Sequence, residues 1–317
     1  MDSEHLVALA LKTLSWTQKE LAQYLDVSPT QITKWKKGEY MSEDMDRRIR
    51  QKINLGDTSP ELVLMVGKYD DAVKWDRLIQ TLAELEKENA ETGYVTVPLE
   101  EDTDFLSLQI MQIFKEMGVS IPNQFPAELE INYDEEDDAS CDEFFCIIEE
   151  NNYTKLIKHI FSSLNDIYGF YSAYIEELIF DDALDLYDTE AINIESCLIF
   201  LAASKIDVDM DFAPNFNQFR YKTNQEYIQW INIVKERAFR ERIPLRSELL
   251  NIVYKHHSEI GHEAEAQSLG FNDGKLHPDI YMNELLVGMR LIHQVLPKIM
   301  EKLEIKEFEI DESDLHL

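Results

Sequence analysis

Cysteine is nearly absent. Cys141, Cys146 and Cys197 are the only three in 317 residues. They are odd in number and include no CxxC pair, so they supply neither a disulfide framework nor a paired-thiolate metal site. Such use of cysteine fits a reducing, cytoplasmic setting. No apolar run reaches the roughly 18 to 20 residues that a bilayer span needs. The opening stretch, MDSEHLVALALK, has no basic lead, which disfavours secretion as well as a membrane partner. No Walker motif, dinucleotide-binding fingerprint or nucleophile elbow occurs. The commonest enzyme classes therefore find no support, and no catalytic residue, cofactor or metal is assigned.

Positive charge is also in short supply. Thirty Lys and Arg face 62 Asp and Glu, for a formal net charge of -32 at pH 7. The deficit is uneven. Residues 1–56 hold nine basic and eight acidic side chains, near +1, and the remainder carries about -33. Such a surface repels nucleic acid over most of its area, so any DNA contact must be confined to the first domain. The chain is nonetheless 44% hydrophobic and 10% aromatic, enough to fold rather than stay disordered. Its length suits two or three domains.

The most informative stretch is QKELAQYLDVSPTQITKWKKG, Gln18 to Gly38. Thr17 followed three places later by Glu20 is a capping box that opens a helix, with Leu21, Ala22 and Leu25 facing inward. Asp26 is the turn residue and Val27 plugs the corner. Ser28 caps a second helix, with Pro29 at its first position, where a missing N–H costs nothing. Ile32 and Trp35 pack that helix down, while Thr30, Gln31, Thr33, Lys34 and Lys37 stay outside. Gly38 stops it. A helix from His5 to Leu14 precedes this pair. Another, about Glu43 to Asn54, and a fifth, Glu61 to Val66, follow it.

This stretch resembles the helix-turn-helix domain of the lambda-repressor and Cro superfamily, the xenobiotic-response-element type. Gln18, Leu21, Ala22, Leu25, Val27, Ser28, Ile32, Trp35 and Gly38 carry the likeness. Asp26 departs from it by standing where glycine is usual, and a lysine pair before Gly38 replaces a more usual glutamate. The resemblance implies double-stranded DNA as the partner. Gln18 would bond a phosphate, and Pro29, Thr30, Thr33 and Lys34 would lie along the major-groove face. Lys36 and Lys37 would meet phosphates at the groove edge. The chemistry agrees, because a helix fits the major groove, Lys reads guanine acceptors and Thr offers a hydroxyl or methyl. The alternative is a small helical domain whose polar residues merely solvate a protein-binding surface.

The expected fold is mainly α: a five-helix domain at 1–67, a linker or dimerisation helix and connection at 68–103, a larger acidic helical domain at 104–305, and an acidic tail at 306–317. A short strand is expected near residues 94–99, where apolar and polar residues alternate. The run DEEDD at 134–138 reads as a solvated loop, with a metal or cation site and an intramolecular mimic of DNA as the alternatives. Apolar and aromatic residues crowd 143–205, the centre of a second core, with Cys197 as a buried small hydrophobe. Residues 212–221 read as a packed loop before a helix at 225–241. Arg237, Arg240, Arg242 and Arg246 are expected to pair with carboxylates, a phosphate ligand being the alternative. In HHSEIGH, His256 and His262 lie six apart and Gly261 interrupts the helix, which does not match the zinc spacing HExxH. A strong amphipathic helix, Tyr281 to Leu303, closes the chain.

The function expected is a sequence-specific transcriptional regulator, a repressor acting as a homodimer, because one short, nearly neutral domain holds few phosphates. The acidic domain would dimerise or sense a small-molecule or protein signal. Two alternatives stand beside it: a phage-defence or toxin–antitoxin effector enzyme, and an interaction module that no longer binds DNA.

Overall fold

The computed structural model describes residues 3–100, 104–131, 146–189, 191, 194–243, 245–271 and 278–305, with 278–287 in backbone only. The acidic run at 134–138, Cys141 and the tail 306–317 lie outside the described residues.

Five helices form the first unit: α1 (Ser3–Leu14), α2 (Gln18–Leu25), α3 (Pro29–Trp35), α4 (Glu43–Ile53) and α5 (Pro60–Val66). α1 lies against α3, α4 and α5. Their common core is Leu6, Val7, Ala10, Leu21, Leu25, Ile32, Trp35, Ile49 and Leu62, all buried.

The larger unit is also helical, with no strand among the described residues. Its longer helices are α6 (Tyr69–Glu88), α8 (Asp104–Met117), α9 (Asn152–Tyr174), α12 (Phe216–Glu241), α14 (His257–Ser268) and α15 (Pro278–Lys302). Shorter ones are α7 (Val97–Glu100), α10 (Glu176–Ile179), α11 (Leu198–Ser204) and α13 (Asn251–Tyr254). α9 is central and packs on α6, α11 and α14. It is apolar around most of its girth, as a helix enclosed on several sides must be. Trp75, Phe125, Tyr153 and Phe212 form an aromatic cluster, with centroids 5.1 Å apart for Trp75–Phe125 and 5.2 Å for Tyr153–Phe212.

Helix α6, expected as a linker or dimerisation helix, buries Trp75, Leu78, Ile79, Leu82 and Ala83 against its neighbours. It packs on α5, α8 and α9. Burial also holds the Glu86 carboxyl above the ordinary carboxylate range. A second tie between the units runs from the Ser59 N–H to the Asp104 carboxylate.

Four expectations are corrected. Residues 94–99 form a turn and the single turn α7, not a strand. Val95 and Val97 point to solvent, while the buried Thr96 hydroxyl donates to Asn165 Oδ1 at 2.7 Å. A polar anchor thus decides which face turns inward, not the apolar alternation. Helix α12 begins at Phe216, inside the expected loop, because Phe216 and Phe219 supply its first buried turn. Gly261 lies inside α14 rather than interrupting it. Cys197 is exposed, not buried.

Candidate nucleic-acid interface

The two helices that define the interface are cut from the chain by local chemistry. The Thr17 hydroxyl accepts from Glu20 N at 3.3 Å, and Glu20 Oε2 accepts from Thr17 N at 2.7 Å, closing the capping box on α2. The Thr17 N–H and the Thr17 hydroxyl both reach the Glu20 carboxylate and hold it below its ordinary range. Asp26 ends the helix with φ 58° and ψ 45°, the left-handed conformation that glycine adopts most easily. Ser28 Oγ accepts from Gln31 N at 3.2 Å at the start of α3, with Pro29 in the first turn. Gly38, at φ 82°, carries the chain away.

Ile32 and Trp35 are fully or almost fully buried and fix how α3 faces. Indole Nε1 of Trp35 donates to the Tyr40 carbonyl at 3.0 Å. The buried Ser3 hydroxyl lies near two carbonyls at the end of α3, Trp35 O at 3.1 Å and Glu39 O at 2.8 Å. With its inner side held, α3 leaves Pro29, Thr30, Thr33, Lys34, Lys36 and Lys37 exposed, uncovered by the described residues of the larger unit.

These residues are not all equally free. Thr33 Oγ1 lies 3.1 Å from the Pro29 carbonyl and 3.3 Å from Gln18 Oε1. Its hydroxyl proton is therefore engaged, and its methyl and oxygen lone pairs remain to meet a base. The same contact ties Gln18 to the face of α3 through its carbonyl oxygen. Lys34 Nζ is 3.5 Å from Glu39, both about half exposed, a pair that solvent weakens and a nucleic acid can displace. Among the described residues no such pairing is seen for Lys36 or Lys37. Tyr40, 79% exposed, stands at the exit of the same turn.

Several supporting residues escaped sequence reasoning. Arg48 donates to Leu25 O at 3.2 Å and Tyr24 O at 3.1 Å. It caps the end of α2, where a cation also complements the helix dipole. Arg50 similarly holds Asp46 and the carbonyls of Gly56 and Thr58. Lys52 Nζ sits 5.3 Å from the ring centroids of both Trp16 and Tyr24. Ser3 and Arg48 act on residues more than twenty positions away, and no local signal marks them.

The other polar clusters do different things. Arg237 pairs with Asp185 at 3.3 Å, Arg240 with Glu236 at 3.5 Å and Arg246 with Glu248 at 3.6 Å. His256 caps α14 through Ser258 N, whereas His257 Nδ1 meets Asp166 Oδ2 at 2.6 Å. The two rings serve separate partners. Among the described residues no group of three or more His, Cys, Asp or Glu is placed to hold a metal ion. No described helix is long and apolar enough to cross a membrane.

Residues 7–42 match the family model described as Helix-turn-helix. The chain therefore carries an N-terminal helix-turn-helix domain consistent with the Cro and lambda-repressor type. No curated protein and no solved structure matches the chain.

Proposed function

We propose that this protein is a sequence-specific DNA-binding transcriptional regulator, a repressor that acts as a homodimer and excludes polymerase from its operator. The observation that carries the reading is the open outer face of α3. Thr30, Thr33 and Lys34 project from a helix anchored by Ile32 and Trp35, and the described residues of the larger unit leave them uncovered. In this reading Pro29, Thr30, Thr33 and Lys34 face base edges, and Gln18, Lys36 and Lys37 hold phosphates. Residues 1–67 bind DNA, 68–103 join the units, 104–305 dimerise or receive a signal, and 306–317 form an acidic tail. Two half-sites are needed because a domain near +1 neutralises few phosphates alone.

The test is selection of bound sequences from a random duplex library at fixed salt, with Lys34→Ala and Thr30→Ala beside the native chain. A discrete motif for the native chain, degraded in both variants at one or two base pairs, is expected. Loss of a good base contact corresponds to about 1–3 kcal/mol of discrimination. An unchanged motif in both variants would remove α3 from the reading role, and no motif at all would favour a protein-binding module.

A second reading, an effector enzyme directed by its helix-turn-helix domain, draws support from one place. A polar cavity of about 310 Å³ is lined by Asp166, His257, Ser258, His262 and Glu265 among others. Loss of the cellular effect in Asp166→Asn, with operator binding intact, would favour that reading.

A further inference from the structure

Helix α15 is amphipathic and touches α12, yet the apolar residues described along its later part are not packed away. Met289, Leu291, Ile292, Val295, Leu296, Ile299 and Leu303 are each between 42 and 65% exposed. Among them Met289, Ile292, Leu296, Ile299 and Leu303 follow one another at alternating intervals of three and four, the spacing of a coiled-coil seam. The sequence carries the same spacing back through Leu285 and Met282. Pro297 falls beside that seam and not in it. At 25 residues the helix is about 37 Å long. Over the described side chains, from Met289 to Leu303, the strip is continuous and exposed, and contiguous exposed apolar patches mark interaction sites.

We propose that α15 is the element through which two copies of this chain pair, antiparallel, as a two-helix coil. Charge selects the occupant and its direction. Two chains of net charge -32 repel one another over most of their surfaces. Helix α15 adds nothing to that repulsion, because Asp279, Glu284 and Glu301 are balanced by Arg290, Lys298 and Lys302. Two of the acids belong to its first third and all three bases to its later half. Antiparallel pairing sets acid beside base and opposes the two helix dipoles, whereas parallel pairing sets like beside like. In the antiparallel register the two-fold axis passes between Arg290 and Leu291. Met289 then meets the partner's Ile292, and Leu296 meets the partner's Leu285.

The inference rests on the dimeric form of the proposed regulator and supplies its interface. It is tested without DNA, so that failure of operator recognition counts against the regulator and not against the pairing. The native full chain and an Ile292→Glu, Leu296→Glu double variant are compared by sedimentation equilibrium. A native dimer is expected, with the dissociation constant raised about 100-fold or more in the variant, as for truncation of central anchors. Its circular dichroism and melting should persist, since both positions are exposed. A monomeric native chain, or a variant that dimerises as before, overturns the proposal.

Direction is read by disulfide capture in a background where Cys141, Cys146 and Cys197 are serine. Met289→Cys chains mixed with Ile292→Cys chains should yield a mixed disulfide dimer, and neither variant alone should cross-link. Cross-linking of each variant with itself, with no mixed disulfide when the two are combined, indicates parallel pairing and overturns the antiparallel assignment. No cross-link in any combination indicates that the helix folds onto its own chain, and overturns it entirely.

Discussion

Asp26 holds a backbone conformation, φ 58°, that costs a side chain with a Cβ roughly 1–2 kcal/mol relative to glycine. Aspartate reduces that cost through local hydrogen bonding but does not abolish it. Asp26→Gly is therefore expected to raise stability by up to about 1 kcal/mol, read as a higher denaturation midpoint at unchanged slope. Operator affinity should stay the same, because the side chain lies outside the face of α3. A lowered midpoint would mean that the carboxylate does something at the turn beyond tolerating it. Arg48 carries a different lesson at this scale. Its guanidinium is occupied by the carbonyls of Tyr24 and Leu25, so a residue that counts toward the charge of the domain in sequence contributes to its folding instead. The nominal charge of the first domain thus overstates what it can offer to phosphate.

Among elements, the pairing of α9 with α14 is the tightest point of the larger unit. Gly261 lets the Asp166 side chain approach the backbone of α14, and an added Cβ would overlap the Asp166 carboxylate. Asp166 cannot simply turn aside without giving up His257. Gly261→Ala is expected to destabilise the chain by at least about 2 kcal/mol despite the better helix propensity of alanine. Asp166→Ala in the same chain should recover part of that loss, so a double-mutant cycle measured by denaturation checks the contact directly. Additive effects of the two changes would show that the overlap relaxes elsewhere. The sequence suggests a helix break at this glycine, because a glycine in a helical pattern reads as a weak point. A close approach from another helix reverses its meaning, and only the assembled structure shows the approach.

For the whole molecule the governing quantity is the division of charge between a nearly neutral DNA-facing domain and a strongly acidic body. Binding must rest on a few phosphate contacts, with repulsion from everything else. Lys36→Ala is expected to weaken operator and unrelated DNA by similar factors. It should also reduce the slope of log affinity against log salt by about 1 for each phosphate it no longer neutralises. Fluorescence anisotropy over a salt series measures both. A change confined to the operator would reassign Lys36 from phosphate to base.

The helix-turn-helix is legible in the sequence without any structure. The capping box at Thr17 and Glu20, the turn at Asp26, the cap at Ser28 and the buried pair Ile32 and Trp35 all act within about twenty residues, and spacing rules encode contacts of that reach. The helical class is legible as well, because a period of 3.6 is written into each amphipathic segment. Long-range packing settles where that local order is overruled. It puts Val95 and Val97 outside by anchoring Thr96 to Asn165, 69 residues away. It brings the Ser3 hydroxyl to the end of α3, 32 residues on, and leaves Met289, Ile292 and Ile299 of α15 in water. Each of these is a choice among competing partners far apart in the chain. The free energy of such a choice belongs to the pair and its surroundings, and no single segment contains it.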